Sequence, residues 1–318
     1  MKREERDGYS VERWEFYPDD YTAVPFLMLI PDGVNSENPA PGVLCFPGSA
    51  YSKEATSGEE MFPCKSCQRI AYPEANAMGK HIAQNGMVAI LFDNLETAEI
   101  AVEKDLVGHS RAQMCHGYLM SGLCYPGMSV FQKLCFMKFL KKLDFIDQDK
   151  LAISGHSLGT ETGLFLGLIC DDFKALIFND MMVDHLHRYV SVTEYECEQG
   201  MDQNVGNWHI VPDMFNWFDF PDLCAAFAPK FLALNEGGGE YYMEKVKRAY
   251  EVLGAEDNLQ ITQYPKYTPS EIRNNHDLQP MFGMSVEEWR AYNYVDAPDH
   301  QFRPEPSIRL LKKCFNLK

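Results

Sequence analysis

Apolar residues in this chain come in short runs separated by polar or glycine-rich breaks. Val11 to Tyr17 alternates as a half-buried strand does, and Val24 to Ile30 is apolar until the turn signal Pro31-Asp32-Gly33. Gly42 to Phe46 is wholly apolar, the pattern of a strand covered on both faces, and stops at Pro47-Gly48-Ser49-Ala50. A helical segment around Ala75 to Asn85 leads into Met87 to Phe92, which makes a strand–helix–strand unit. The alternation then repeats. Helix fills much of 110–144, Leu151 to Ser154 enters Gly155 as a strand, and 158–170 reads as a helix. Strands follow at Lys174–Phe178 and Phe231–Leu234, then a helix at Tyr241–Leu253, a strand at Leu259–Tyr264 and a closing amphipathic helix at Ser307–Phe315. This order predicts an α/β fold, a mainly parallel central sheet with helices on both faces.

Two stretches break the alternation. Residues 181–226 are aromatic, acidic and irregular, and 265–298 carry Pro, Asn and a short helix near Val286–Tyr292. Unpatterned segments of that length are usually functional, and the expectation is of lid-like insertions at the carboxyl edge of the sheet. No composition shift marks a linker, so the expected organisation is one domain over 1–318.

Composition narrows the classes of function. The chain has 318 residues, 46% hydrophobic and 24% charged, enough for a substantial buried core. A formal charge of −17 argues against nucleic acid as a partner. No apolar run approaches the length of a membrane span. The charged start, Met1 to Asp7, has no signal-type apolar stretch behind it, so the chain as given reads as cytoplasmic; a trimmed export signal would leave no trace. The ten cysteines are spread through apolar segments and read as core thiols. Cys64-Lys65-Ser66-Cys67 is a lone CxxC without a second pair at zinc-site spacing, and His185 and His187 form an HxH pair without an evident third ligand.

Gly155-His156-Ser157-Leu158-Gly159 carries the chemistry. A GxSxG pentapeptide is common by chance, but this one lies between a buried strand and a helix. The chain must turn there too sharply for side chains on the flanking positions 155 and 159, so both are glycine and Ser157 is raised above the sheet near the positive end of a helix. A serine hydroxyl needs a base. In the chain order serine, acid, histidine, His300 in Asp299-His300-Gln301-Phe302 stands just before the closing helix, and His276 is the alternative. The acid is expected after the strand Phe231–Leu234: Glu240 by spacing, then Glu236, with Asp180 after the preceding strand as a third option. Two backbone N–H groups should hold the oxyanion, one from Leu158 and one from Ser49, because Pro47 has none.

With these residues in view, the chain resembles the α/β-hydrolase superfamily in its dienelactone-hydrolase-like and acetyl-xylan-esterase-like branch. The likeness runs over Tyr9-Ser10-Val11-Glu12, Val24-Pro25-Phe26-Leu27, the loop Pro47 to Glu54, Ala228-Pro229-Lys230-Phe231-Leu232 and His300-Gln301-Phe302. The resemblance implies a Ser157–acid–His300 triad and hydrolysis of esters, often acyl groups on carbohydrates. Two departures stand out: Pro47 where a His is common, and Glu where the acid is usually Asp.

The resulting expectation is a serine esterase acting through an acyl-enzyme on Ser157, with no metal or organic cofactor and a small-molecule or carbohydrate ester as substrate. Trp208 and Trp217 in the first insertion, with Tyr51, are candidates to line the substrate site. The same triad could serve a peptidase or thioesterase, and a binding protein that kept the fold without turnover is the rival outside enzymes.

Overall fold

The apolar runs become the strands of one sheet. The computed structural model describes residues 2–49, 51–59, 72–101, 111–180, 184–185, 206–237, 240–263, 285 and 300–318. The strands are β1 Lys2–Glu5, β2 Tyr9–Phe16, β3 Val24–Pro31, β4 Ala40–Phe46, β5 Val88–Phe92, β6 Ile146–His156, β7 Phe173–Asn179, β8 Phe231–Glu236 and β9 Leu259–Gln263. They form a nine-stranded sheet in the order β1-β2-β3-β5-β4-β6-β7-β8-β9. Pairings from β1 to β5 are antiparallel, and those from β5 through β4, β6, β7 and β8 to β9 are parallel.

The described helices are α1 Lys53–Ser57, α2 Pro73–Asn76, α3 Met78–Ala83, α4 Arg111–Met120, α5 Tyr125–Leu140, α6 Leu158–Ile169, α7 Phe220–Ala226, α8 Glu240–Val252 and α9 Pro304–Phe315. Period-two alternation divides the strand residues between two cores. Leu44, Phe46, Ile90, Phe92 and Ile153 face a cluster with apolar residues of α5, α6, α7 and α8. Val43, Cys45, Ala89, Leu91 and Ala152 face the other side, with Met78 and Ile82 of α3 and Leu310, Leu311 and Phe315 of α9. Because both faces are covered, β4 and β5 are apolar and buried at every position, which is why they read as unbroken runs.

The structure departs from the sequence reading in three places. The charged segment Lys2–Glu5 forms edge strand β1, which hydrophobic periodicity does not register. The helical region in 110–144 is two helices, parted at Ser121–Cys124 where Gly122 takes φ 74°. The helix at Ala75–Asn85 is likewise split at Ala77, into α2 and α3. Of the first insertion, 184–185 and 206–226 are described, with two short 3-10 turns before α7; the second, with its expected helix, lies outside the described residues apart from Ser285. No described helix is long and apolar enough to cross a membrane.

The parallel strands bring their carboxyl ends to one edge. Pro47 to Ser49 follow β4, Asp93 and Asn94 follow β5, Ser157 follows β6, Asp180 follows β7, and Glu236 ends β8. In open α/β sheets this is the edge that carries ligands and chemistry.

Candidate active site

Ser157 sits at the junction of β6 and α6 with φ 51° and ψ −124°, a backbone state a non-glycine residue reaches only when its surroundings impose it. They do so by crowding and hydrogen bonding. A Cβ on Gly155 would lie 2.7 Å from the Cα of Thr160, and one on Gly159 would fall on the Phe46 carbonyl. The Ser157 N–H donates to the Asn179 carbonyl at 3.0 Å, and its carbonyl accepts from the Thr160 N–H at 2.8 Å. The serine is therefore partly exposed at the N-terminus of α6, whose first N–H groups have no intrahelical partner.

His300 reaches the same edge from the far end of the chain. Its Nδ1 lies 2.7 Å from Glu236 Oε2, and Glu236 is almost wholly buried. The other carboxylate oxygen, Oε1, accepts from the Gln301 N–H at 3.0 Å and from Arg303 Nε at 3.2 Å. The turn carrying His300 is held by two buried asparagines. Asn179 donates to Gln301 O at 2.9 Å and accepts from Arg303 N at 2.7 Å, and Asn76 accepts from Phe302 N at 2.7 Å. The imidazole stacks on His156, the residue before Ser157, with ring centroids 4.7 Å apart. No hydrogen bond joins Ser157 to His300 here; such contacts are often loose before substrate binds.

His156 is buried between two rings, with Tyr51 stacked at 5.8 Å opposite His300. Burial pushes its pKa well below the ordinary value; the nearby His300 and Arg303 push the same way and Asp180 opposes them. The stack therefore favours the neutral form of His156. The loop after β4 passes directly over this pair. A Cβ on Gly48 would lie 3.2 Å from His156 Nδ1 and 3.4 Å from Ser157 Cβ.

The carboxylate that meets His300 is not the one favoured by spacing. Glu240 opens α8, after Gly237-Gly238-Gly239, whereas the carboxylate on His300 is that of Glu236, before those glycines. Glu236 has φ 68° and is followed by Gly237 at φ 73°, so the strand ends in a kink that leaves Glu236 at the sheet edge. Asp180 is buried close by. Asp180, Glu236 and His300 bring ligand-type atoms within 4.8 Å of one another, the described cluster with the spacing to hold a metal ion, though Arg303 already sets a positive charge 3.1 Å from Glu236. His276, Cys64, Cys67 and His187 lie outside the described residues. His185 is buried against Phe215, Phe220 and His209.

Of the other candidates, Leu158 is buried with Leu95, Cys115 and Tyr125, and Trp208 packs against that cluster. Trp208 also lies under Arg111, whose guanidinium carbon is 5.2 Å from the ring centroid. Trp217 is elsewhere: it is 77% exposed and donates to Asp213 at 2.8 Å. Ser49 is half-buried in the loop over Ser157, and the Tyr51 hydroxyl accepts from Asn76 at 3.2 Å. The seven described cysteines are free thiols, buried or partly so, and burial raises Cys115 to about 11. Sequence reasoning missed Asn76, Asn94, Asn179 and Arg303. Asn94 and Asn179 share one faint signal, a polar residue at the carboxyl end of an apolar strand.

A family model described as Abhydrolase family matches residues 1–313. Among solved structures, a protein of Bacteroides fragilis NCTC 9343 provisionally assigned as an acetyl xylan esterase superposes with a TM-score of 0.85 at 31% identity, over 98% of this chain and 81% of that one. A methylesterase gives 0.56 at 17% identity, over 98% and 63% of the two chains. A glucuronoyl esterase from Solibacter usitatus gives 0.53 at 14%, over 90% and 80%. At those identities the last two bear on the fold alone. No curated protein sequence matches the chain.

Proposed function

The chain belongs to the Abhydrolase family, and from that premise we propose that it is a serine hydrolase cleaving carboxylic esters through an acyl-enzyme on Ser157. One observation carries the reading: a backbone-strained serine at a strand–helix elbow shares its sheet edge with an imidazole that is fixed by a buried carboxylate and stacked on the serine's own neighbour.

In this mechanism the Glu236–His300 contact keeps the imidazole proton on Nδ1 and the lone pair on Nε2, the tautomer a general base needs. Nε2 takes the Ser157 proton as Oγ attacks the ester carbonyl. The Ser49 and Leu158 N–H groups receive the negative oxygen of the tetrahedral adduct. Collapse expels the alcohol, which takes the proton from His300. Water, deprotonated by the same imidazole, then releases the acid and restores the hydroxyl. Glu236 stabilises the imidazolium in both halves.

The 31% identical neighbour, provisionally assigned as an acetyl xylan esterase, supports a substrate class. The reading for this chain is an acyl ester of a carbohydrate, acetyl esters first, with Trp208, packed against the cluster that holds Leu158, as an apolar surface for it. Incubation with a fluorophosphonate probe should add one label, on the peptide containing Ser157, and acetylated oligosaccharides should release acetate. Labelling at another residue, or none, would overturn the proposed nucleophile; acetate release confined to simple esters would overturn the substrate class.

A further inference from the structure

All three carbonyls of the loop over Ser157 are held by side chains that no triad role accounts for. Asn94 Nδ2 donates to Pro47 O at 2.9 Å and to Gly48 O at 3.0 Å. Arg111 Nη2 donates to Ser49 O at 2.8 Å and to Thr97 Oγ1 at 2.8 Å. Asn94 and Arg111 are each 3% exposed. Both partners of Asn94 are acceptors only, so its amide must turn the NH2 group toward the loop.

Peptide geometry converts this into a statement about donors. In a trans peptide the C=O and N–H point in opposite directions. The Pro47 carbonyl shares its peptide with the Gly48 N–H, and the Gly48 carbonyl shares its peptide with the Ser49 N–H. Drawing both carbonyls onto Asn94 turns both N–H groups to the opposite side of the loop. A hydrogen bond accepted at the carbonyl also strengthens donation from the N–H of the same peptide.

Arg111 adds charge. Among the described residues no carboxylate forms an ion pair with it, and its Nε is buried without a partner. Glu161, the acid in the first turn of α6, is taken up by His209 at 2.6 Å. A buried guanidinium without a counter-ion is costly to keep. Trp208 beneath it offsets part of that cost. What remains, among the described residues, is a buried positive charge without an ion-pair partner, bonded to the loop above the serine, where acyl transfer develops a negative oxygen.

We propose that Asn94 and Arg111 are positioning residues of the acyl transfer: Asn94 aims and polarises the Gly48 and Ser49 N–H groups, and Arg111 fixes Ser49 and supplies the positive potential behind them. The inference rests on the proposed ester hydrolysis at Ser157.

The test compares wild type with Asn94→Ala, Asn94→Ser, Arg111→Met, Arg111→Lys and Ser157→Ala. It uses p-nitrophenyl acetate for kcat and KM, phenylboronic acid as a probe that forms a tetrahedral anionic adduct on the serine, and a thermal melt for each variant. Asn94→Ala and Arg111→Met should lower kcat roughly 10- to 100-fold, less than the ~10²–10³ for loss of a direct oxyanion donor. KM should stay near the wild-type value, and boronate affinity should fall in step with kcat/KM. Arg111→Lys should recover most of the Arg111→Met loss, and Asn94→Ser should fall between alanine and wild type. The inference is overturned if Asn94→Ala and Arg111→Met keep wild-type kcat, or if kcat falls only as far as the melt does while boronate affinity stays. Should Ser157→Ala itself remain active, the ester reading fails instead, and with it the premise.

Discussion

Glu236 and His300, 64 positions apart, meet at 2.7 Å, and the other oxygen of the Glu236 carboxylate reinforces that meeting. Its second oxygen binds the N–H of Gln301 and the guanidinium of Arg303, so the carboxylate grips the whole turn that carries the imidazole. Asp180 belongs to the same cluster but does not occupy the Nδ1 position. Glu236→Gln should therefore lower kcat by about 10²- to 10⁴-fold with little change in KM, since the base would lose both its tautomer and its countercharge. Asp180→Asn should cost less than about tenfold. Steady-state kinetics of the two variants decide; the reverse order would transfer the role to Asp180.

Lys133 has no part in the proposed chemistry and should control alkaline stability. It is buried under the sheet edge, 5.6 Å from the Phe92 ring centroid and 6.0 Å from that of Phe46. Burial lowers its pKa to about 8, with Asp93 opposing the shift. The folded-state value lies below the ordinary value of 10.5, so folding is penalised while the amine is charged, and the penalty is relieved as pH rises from about 8 to 10.5. Lys133→Met should stabilise the protein at pH 7 by ~1–3 kcal/mol, the difference shrinking toward pH 10.5. Denaturant melts of both proteins across that range measure it. A constant difference, or a destabilised variant, would contradict the assignment.

The two tryptophans of the first insertion should separate cleanly. Trp208 packs with the Leu158 cluster under Arg111, whereas Trp217 is 77% exposed and bound to Asp213. Trp208→Ala should raise KM for aryl or sugar esters several-fold, and Trp217→Ala should leave both constants within about twofold. Equal effects would mean that Trp217 also faces substrate.

The elbow was legible because its signal is local. Two glycines around Ser157, an apolar strand before and a helix after are all contained in one short segment, and the structure shows the crowding at Gly155 and Gly159 that demands them. The sheet was legible for a related reason, since strands covered on both faces show as short apolar runs, unbroken in β4 and β5. The acid was less so. Spacing favoured Glu240, but the strand read as Phe231–Leu234 runs on to Glu236 and kinks there, which sets Glu236 beside His300, and nothing in the local pattern foretells it. The supporting asparagines were barely legible. Asn76 meets the Phe302 N–H from 226 positions away and Asn94 meets the Pro47 carbonyl from 47, contacts that exist only once the sheet is assembled. Edge strand β1 escaped because its Lys, Arg and Glu side chains carry no apolar period.

The central claim is that Ser157 and His300 act as nucleophile and base on carboxylic esters. The most direct test is hydrolysis of p-nitrophenyl acetate by wild type, Ser157→Ala and His300→Ala, each with an unchanged thermal melt. Turnover by the wild type with loss of at least about 10³-fold in both variants is the predicted result. Activity retained by His300→Ala while Ser157→Ala is dead would move the base to another histidine such as His276. Activity retained by Ser157→Ala, or no turnover by the wild type, would contradict the account.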